Sequence, residues 1–192
     1  DLEVYKGNFP AGWVVEFPFQ MGHELSGVVD AVGDNVPNAK VGDRVVPDGR
    51  VPCGYCSFCR KGQVNACENA GYNAGGFREY SVYNYKAIVP VPDNVSFEEA
   101  AMAEPISCTM YGNEKLDVGI GDFAVVLGEG AIGQLHAQLL KSRGARVAMV
   151  GLIEDRLEVG KKLGVDHIID ANKADPVAEI NELTGGYGAD VV

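Results

Sequence analysis

The sequence has no run of about 18 consecutive apolar residues, no positively charged leader followed by an apolar stretch, and no low-complexity tract or internal repeat. These absences argue against a membrane-spanning helix, a secretory signal and a solenoid, and the protein is expected to be soluble and cytoplasmic. Positive charge is also scarce. Lys and Arg number 16 against 27 Asp and Glu, giving a net charge of −11 and a pI near 4.6. Such a surface repels phosphate backbones and anionic headgroups, so neither nucleic acid nor a membrane is an expected partner, and a small-molecule substrate fits better. What is present is ample apolar material: 46% of 192 residues, enough for one large core or two small ones. No methionine precedes Asp1, and Gly188-Ala189-Asp190-Val191-Val192 stops as a strand begins. A truncated chain, inactive by itself and with an unprotected strand edge at 189–192, is the expectation.

The residue pattern changes near the middle. From Asp1 to about Val91, short β-type runs (Val28 to Val32, Arg44 to Val46, Tyr80 to Tyr83) alternate with turns at Gly33-Asp34-Asn35 and Gly42-Asp43, predicting an irregular β-rich domain. Ser96 then stands where it can cap a helix, with Glu99 in capping-box position. Beyond Gly121 strands and helices alternate. Strands are predicted at Phe123 to Leu127, Val147 to Val150 and His167 to Asp170. Helices are predicted behind Ile132, Leu135, Leu139 and Leu140, ending at Gly144, and over Glu154 to Leu163 and Pro176 to Leu183. A βαβαβα series makes a parallel, doubly wound sheet, so the fold class is α/β. The expected division is a β-rich domain over 1–105 and a nucleotide-binding half over 106–192.

Cys53, Cys56, Cys59 and Cys67 form CxxCxxC, then seven residues and a fourth cysteine. Zinc takes four converging thiolates at about 2.3 Å, and closely spaced cysteines on one loop can wrap it. A closed thiolate shell leaves no open position, so the lobe over about 53–67 is expected to stabilise rather than catalyse. Two disulfides, a mere cluster of small thiols and an iron–sulfur cluster are the competing readings. Cys108, alone in an apolar stretch, reads as a small buried hydrophobe rather than a nucleophile.

Gly22-His23-Glu24 sets an imidazole beside a carboxylate. By itself that fits a core histidine with a hydrogen-bonded neighbour as well as a metal ligand. Glu104, before Pro105, is equally open between a solvated helix-end carboxylate and a functional one.

Gly128-Glu129-Gly130-Ala131-Ile132-Gly133 is a GxGxxG that directly follows a predicted strand and opens a predicted helix. The first glycine permits the turn, the second lets a pyrophosphate approach the backbone, and the third lets helix and strand pack closely. The second strand ends at Gly151, without the acid that commonly binds a ribose 2′-hydroxyl there, and acids appear only at Glu154 and Asp155. That gap removes an obstacle to a 2′-phosphate, for which Arg156 is a possible positive charge if it turns inward, and a site that tolerates NADP is the expectation. An exposed helix residue is the alternative reading of Arg156.

With these motifs in order, the whole chain resembles the zinc-containing medium-chain dehydrogenases, particularly the sorbitol/polyol and threonine dehydrogenase-like branch. Gly22-His23-Glu24-Leu25-Ser26-Gly27, with Gly33 and Val36, resembles the family's zinc signature. The cysteine spacing equals that of its structural-zinc lobe, and Glu104-Pro105 resembles the Glu-Pro of the polyol branch. The resemblance implies a GroES-like domain joined to a Rossmann domain, with the active site in the cleft between them. It implies His23, Glu24 and Glu104 around a catalytic zinc, Cys53, Cys56, Cys59 and Cys67 around a structural zinc, and Gly128, Gly130, Ala131, Ile132, Gly133, Gly151 and Arg156 at an NAD or NADP site. The implied reaction is reversible oxidation of a secondary alcohol or polyol, with zinc as Lewis acid and the nicotinamide taking the hydride. A homo-oligomer, dimer or tetramer, is implied as well. The family's cysteine ligand stands three residues before an aspartate resembling Asp1, with a Ser or Thr of the proton relay just before that aspartate; both positions fall outside the sequence. Many relatives carry a His where Glu3 stands. Two other readings are a zinc-free reductase of the quinone oxidoreductase type on the same fold, and a non-catalytic zinc-stabilised scaffold.

Overall fold

The computed structural model describes residues 1–9, 16–73 and 75–192. The chain divides into two compact units, Asp1–Glu104 and Pro105–Val192. Among the described residues no helix is long and apolar enough to cross a membrane.

The first unit is built of short pieces: helix α1 (Leu2–Tyr5), strands β1 (Gly27–Val28), β2 (Arg44–Pro47) and β3 (Arg50–Val51), helix α2 (Ser57–Arg60), strands β4 (Gly71–Tyr72) and β5 (Ile88–Pro90), and helix α3 (Phe97–Ala101). β1, β2 and β5 form an antiparallel sheet in that order, and β3 pairs with β4. The expected strand over Val28 to Val32 is thus cut short. Val29 still donates to Asp43 O, but no described strand lies opposite Asp30 to Val32, and an apolar run without a partner cannot join a ladder. Tyr80 to Tyr83 likewise forms no strand with any described segment, and Val82 is 97% exposed. The turns hold as expected: Asn35 and Gly42 both take positive φ, 58° and 91°. Arg44 ties the sheet to the approach to α3, donating to the carbonyls of Pro92, Asp93 and Val95 while its guanidinium lies 4.6 Å from the Phe97 ring centroid. α3 begins as its sequence predicts, with Ser96 and Glu99 closing a reciprocal capping box.

Helix α4 (Ala103–Asn113) crosses the boundary between the units. Its buried side chains are Pro105, Thr109 and Asn113, one per turn. Cys108 falls off that stripe and is exposed, which corrects the expectation of a buried thiol.

The second unit continues with β6 (Phe123–Leu127), α5 (Ala131–Ser142), β7 (Arg146–Gly151), α6 (Glu154–Lys162), β8 (His167–Asp170) and α7 (Pro176–Leu183). β6, β7 and β8 form a parallel sheet in chain order, with Leu127 opposite Val150 and Gly151 opposite Asp170. Val191 bridges to Ala124 on the other side of β6, and Val125 N donates to Val191 O at 2.9 Å. The segment at 189–192 therefore joins the sheet beside β6 instead of lying free. Strand order reverses at β6, so the carboxyl end of that strand is the switch point at which open α/β sheets take their ligands.

Both faces of the sheet are covered. Ala124, Val126, Val147 and Met149 pack against Ala137, Leu140 and Leu157, whereas Phe123, Val125, Ala148 and Val150 pack toward Ile180 and Leu183 of α7. That is why β6 and β7 read as continuous apolar runs. On α5 the buried positions are Gln134, Ala137 and Leu140, while Ile132 is 49% exposed. The helix face is rotated from the one its large apolar residues predict, because the close approach to β6 is made through Gly133.

Candidate functional site

The cysteine lobe hangs between β3 and β4. Cys56 caps α2 by accepting the amide of Cys59, and Gly54 takes φ 81° to turn the loop. The Sγ atoms of Cys53 and Cys59 stand 3.9 Å apart, as do those of Cys56 and Cys67. Backbone amides point at the sulfurs: Cys53 N to Cys67 Sγ at 3.3 Å and Cys56 N to Cys53 Sγ at 3.4 Å. The amides of Cys59 and Glu68 hold the Cys56 thiol down at about 6, whereas burial pushes that of Cys59 up to about 12. The Cys67 thiol is lowered too, chiefly by the Cys53 amide. Arg50 of β3 anchors the lobe, donating to the carbonyls of Asn65 at 2.7 Å and Cys67 at 3.2 Å.

A second donor set lies in the same unit. Ligand atoms of His23, Glu24 and Glu104 all fall within 4.8 Å of one another. His23 and Glu24 are exposed, which removes the core-histidine reading. Gly22 sets the direction of His23: its φ is 93°, and a Cβ there would meet Phe77 N at 2.8 Å. The Gly22 carbonyl accepts from Gly75 and Gly76, and its amide donates to Asp1 Oδ1 at 3.1 Å. Asp1 Oδ2 lies 3.7 Å from His23 Nδ1. Asp1 was not among the site residues expected from the sequence. The contact spans 22 residues, and no local spacing announces it.

The glycine turn sits at the carboxyl end of β6. Gly128 has φ 110°, a conformation glycine adopts without strain. At Gly133 a Cβ would run into the Gly128 carbonyl oxygen and stand 3.0 Å from its carbon, so helix and turn meet backbone to backbone there. Gly130 is the N-cap of α5 without any side-chain acceptor, and a Cβ on it would meet nothing within 4 Å. The first turn of α5 thus has no side-chain cap of its own and open space beside Gly130, the arrangement that receives a phosphate. Beside it is a hollow of about 320 Å³ lined by Glu129, Gly130, Ala131, Gln134, Arg156 and Val159. Arg156 is exposed at its rim. Gln134, buried and unforeseen from the sequence, donates to the carbonyls of Glu129 at 3.2 Å and Arg156 at 2.9 Å, locking turn to α6, while its Oε1 has no partner.

Family models agree with both halves of this description. Residues 1–93 match the alcohol dehydrogenase GroES-like domain, and residues 131–192 match the zinc-binding dehydrogenase model. The chain belongs to the zinc-type alcohol dehydrogenase family of medium-chain dehydrogenases. A sorbitol dehydrogenase of Halalkalibacterium halodurans is 38% identical across the whole chain, which covers 57% of that protein. A crystal structure titled NAD-dependent alcohol dehydrogenase superposes with a TM-score of 0.88 at 34% identity, over 99% of this chain and 57% of that one. A structure from Sinorhizobium meliloti bound to NADP gives 0.83 at 28% identity, over 91% and 52%. The chain therefore spans a little over half the length of these relatives. Its fold is that of the family, a GroES-like β-rich part with a Rossmann-like α/β part.

Family membership implies zinc and a nicotinamide coenzyme, and the residues present fit both. Four ligands at about 2.3 Å from a tetrahedral ion are about 3.8 Å apart, close to the 3.9 Å between paired sulfurs. All four cysteines are free thiols rather than disulfides. Donors at about 2.1 Å from a shared ion lie about 3.4 Å apart, so the His23, Glu24 and Glu104 side chains, within 4.8 Å of one another, need to close in by about 1.4 Å at most. The exposure of His23 and Glu24 leaves them room to do so.

Proposed function

We propose that this chain carries the metal and coenzyme sites of an oxidoreductase that transfers a hydride between a secondary alcohol or polyol and NAD or NADP. One observation carries the reading. A closed four-thiolate set and a separate set of exposed His23 and Glu24 with half-buried Glu104 occur in one unit, as a stabilising and a catalytic metal site require. In this reading residues 1–105 are the catalytic domain and 106–192 the first part of the coenzyme domain. The enzyme acts in the cytoplasm on a small molecule, as a homo-oligomer, either dimer or tetramer.

When bound, zinc supplies a Lewis acid for the alcohol oxygen, and the nicotinamide ring supplies the hydride acceptor. The chain's own residues do the rest. His23, Glu24 and Glu104 are the donors at the catalytic position, and Asp1, with Oδ2 3.7 Å from Nδ1, is the carboxylate beside the imidazole. Cys53, Cys56, Cys59 and Cys67 hold the stabilising ion. Gly128, Gly130, Ala131, Ile132 and Gly133 present backbone to the pyrophosphate, with Gly151 and Arg156 bordering the adenosine side.

Zinc per chain, measured by elemental analysis on the unsubstituted protein and on Cys53→Ser and His23→Ala, tests the reading. Two ions, one lost with each substitution, are expected. A single ion lost only with Cys53→Ser would refute the catalytic site and move the function to a zinc-free reductase of the quinone oxidoreductase type.

A further inference from the structure

The second strand of the α/β unit ends in Gly151, so the carboxylate that commonly meets the adenosine ribose is missing from its usual place. The structure supplies one from another element. Glu129, the second residue of the glycine turn, reaches across to the end of β7, where its Oε1 accepts the amides of Leu152 at 3.2 Å and Ile153 at 3.0 Å. These two residues lead into α6, whose N-cap is Ile153, a side chain that cannot cap. The Glu129 carboxylate therefore occupies the positive end of α6 from outside the helix.

Gly151 and Glu129 are complementary. A Cβ on Gly151 would collide with the Glu129 carboxylate, with its Cδ at 2.6 Å, and the three nearest atoms it would meet all belong to Glu129. The absence of a side chain on the strand and the acid on the turn are thus one arrangement. Its charge is secured: the amide of Glu129 itself, then those of Leu152 and Ile153, with Arg156 nearby, hold the carboxyl below the ordinary range.

We propose that Glu129 is the residue that selects the coenzyme, accepting hydrogen bonds from the ribose hydroxyls and excluding a 2′-phosphate, so that the chain prefers NAD(H) to NADP(H). The proposal rests on the coenzyme reading above. A carboxylate on the amides of Leu152 and Ile153 takes the donors a 2′-phosphate would need and adds a like charge against it. Arg156, the cation at the same hollow, is the group that a 2′-phosphate would meet once that carboxylate is removed.

The test is fluorescence titration of the purified chain with NADH and with NADPH, alongside a thermal melt of each variant. The unsubstituted chain is expected to bind NADH about tenfold or more tightly than NADPH, and Glu129→Gln to erase most of that preference, the effect of losing one close like charge. Glu129→Ala combined with Gly151→Asp is expected to restore the preference for NADH, because the acid returns to the strand. Equal binding of the two dinucleotides by the unsubstituted chain, or a preference unmoved by Glu129→Gln, would overturn the role of Glu129 and leave the coenzyme reading standing. Binding of neither dinucleotide by a folded, unsubstituted chain would overturn the coenzyme reading and this inference with it. Should Glu129→Gln fail to fold, Glu129→Ala alone decides: erosion of the preference supports the assignment, and its retention refutes it.

Discussion

Gly133 and Gly130 belong to the same motif, but the structure gives them separable tasks. Alanine at Gly133 places a Cβ 3.0 Å from the Gly128 carbonyl carbon and inside contact with its oxygen. Carbon atoms rest at about 3.5–4.0 Å, so the first turn of α5 must move away from β6 by at least about half an ångström. Both obstacles are backbone, and no rotamer relieves them. Overpacking of this kind costs about 1–3 kcal/mol, against which the better helix propensity of alanine returns at most about 1 kcal/mol. A net loss of roughly 1–2 kcal/mol lowers the melting temperature of a unit of this size by roughly 4–15 °C. Alanine at Gly130 meets nothing within 4 Å, and its φ of −73° suits any residue, so stability is expected to hold within about 0.5 kcal/mol. Its methyl group nevertheless stands where the pyrophosphate approaches, and NADH affinity is expected to fall about tenfold or more. Thermal melts followed by circular dichroism, with NADH titration, separate the two effects. A Gly133→Ala protein that melts and binds like the unsubstituted one would refute the packing argument, and a Gly130→Ala protein that binds normally would refute the phosphate cradle.

Three further outcomes are expected. Without metal, Cys59 keeps its proton up to about 12 and Cys56 loses its own at about 6, so zinc uptake must release protons and retention against a chromophoric chelator should fall steeply as pH drops below about 6; flat retention from pH 8 to 5 would contradict a thiolate site. Asp166 has its carboxyl lowered against the opposing effect of burial, by Lys141 at 2.8 Å and the Val147 amide at 2.6 Å. Its contribution is therefore present at neutral pH and lost as pH falls below the unfolded value of about 4 through the lower folded one. Asp166→Asn should cost about 1 kcal/mol at pH 7, since the pair is partly solvated, and the difference in melting temperature should shrink toward pH 2. Ser96→Ala removes the acceptor for the Glu99 amide and should destabilise the first unit by about 1 kcal/mol in a denaturant titration.

The sequence by itself determined everything that depends on neighbours along the chain. The strands Phe123–Leu127 and His167–Asp170, the helix Pro176–Leu183 and the Ser96 capping box stand where the residues place them, because hydrophobic period, caps and glycine turns act over a few residues. The four cysteines converge for the same reason, since a loop of 15 residues brings them together without help from a distant core. Tertiary structure decided what depends on partners far along the chain. The runs at 30–32 and 80–83 find no strand opposite them among the described residues, and strand pairing is a property of two segments rather than one. Cys108 turned outward because the buried stripe of α4 runs through Pro105, Thr109 and Asn113, a phase that composition does not set. Asp1 met His23, and Glu129 reached the end of β7 to fill the space left by Gly151. The sequence showed a missing acid at Gly151; only the folded backbone, by bringing two turns together at the carboxyl ends of β6 and β7, showed where an acid stands in its place.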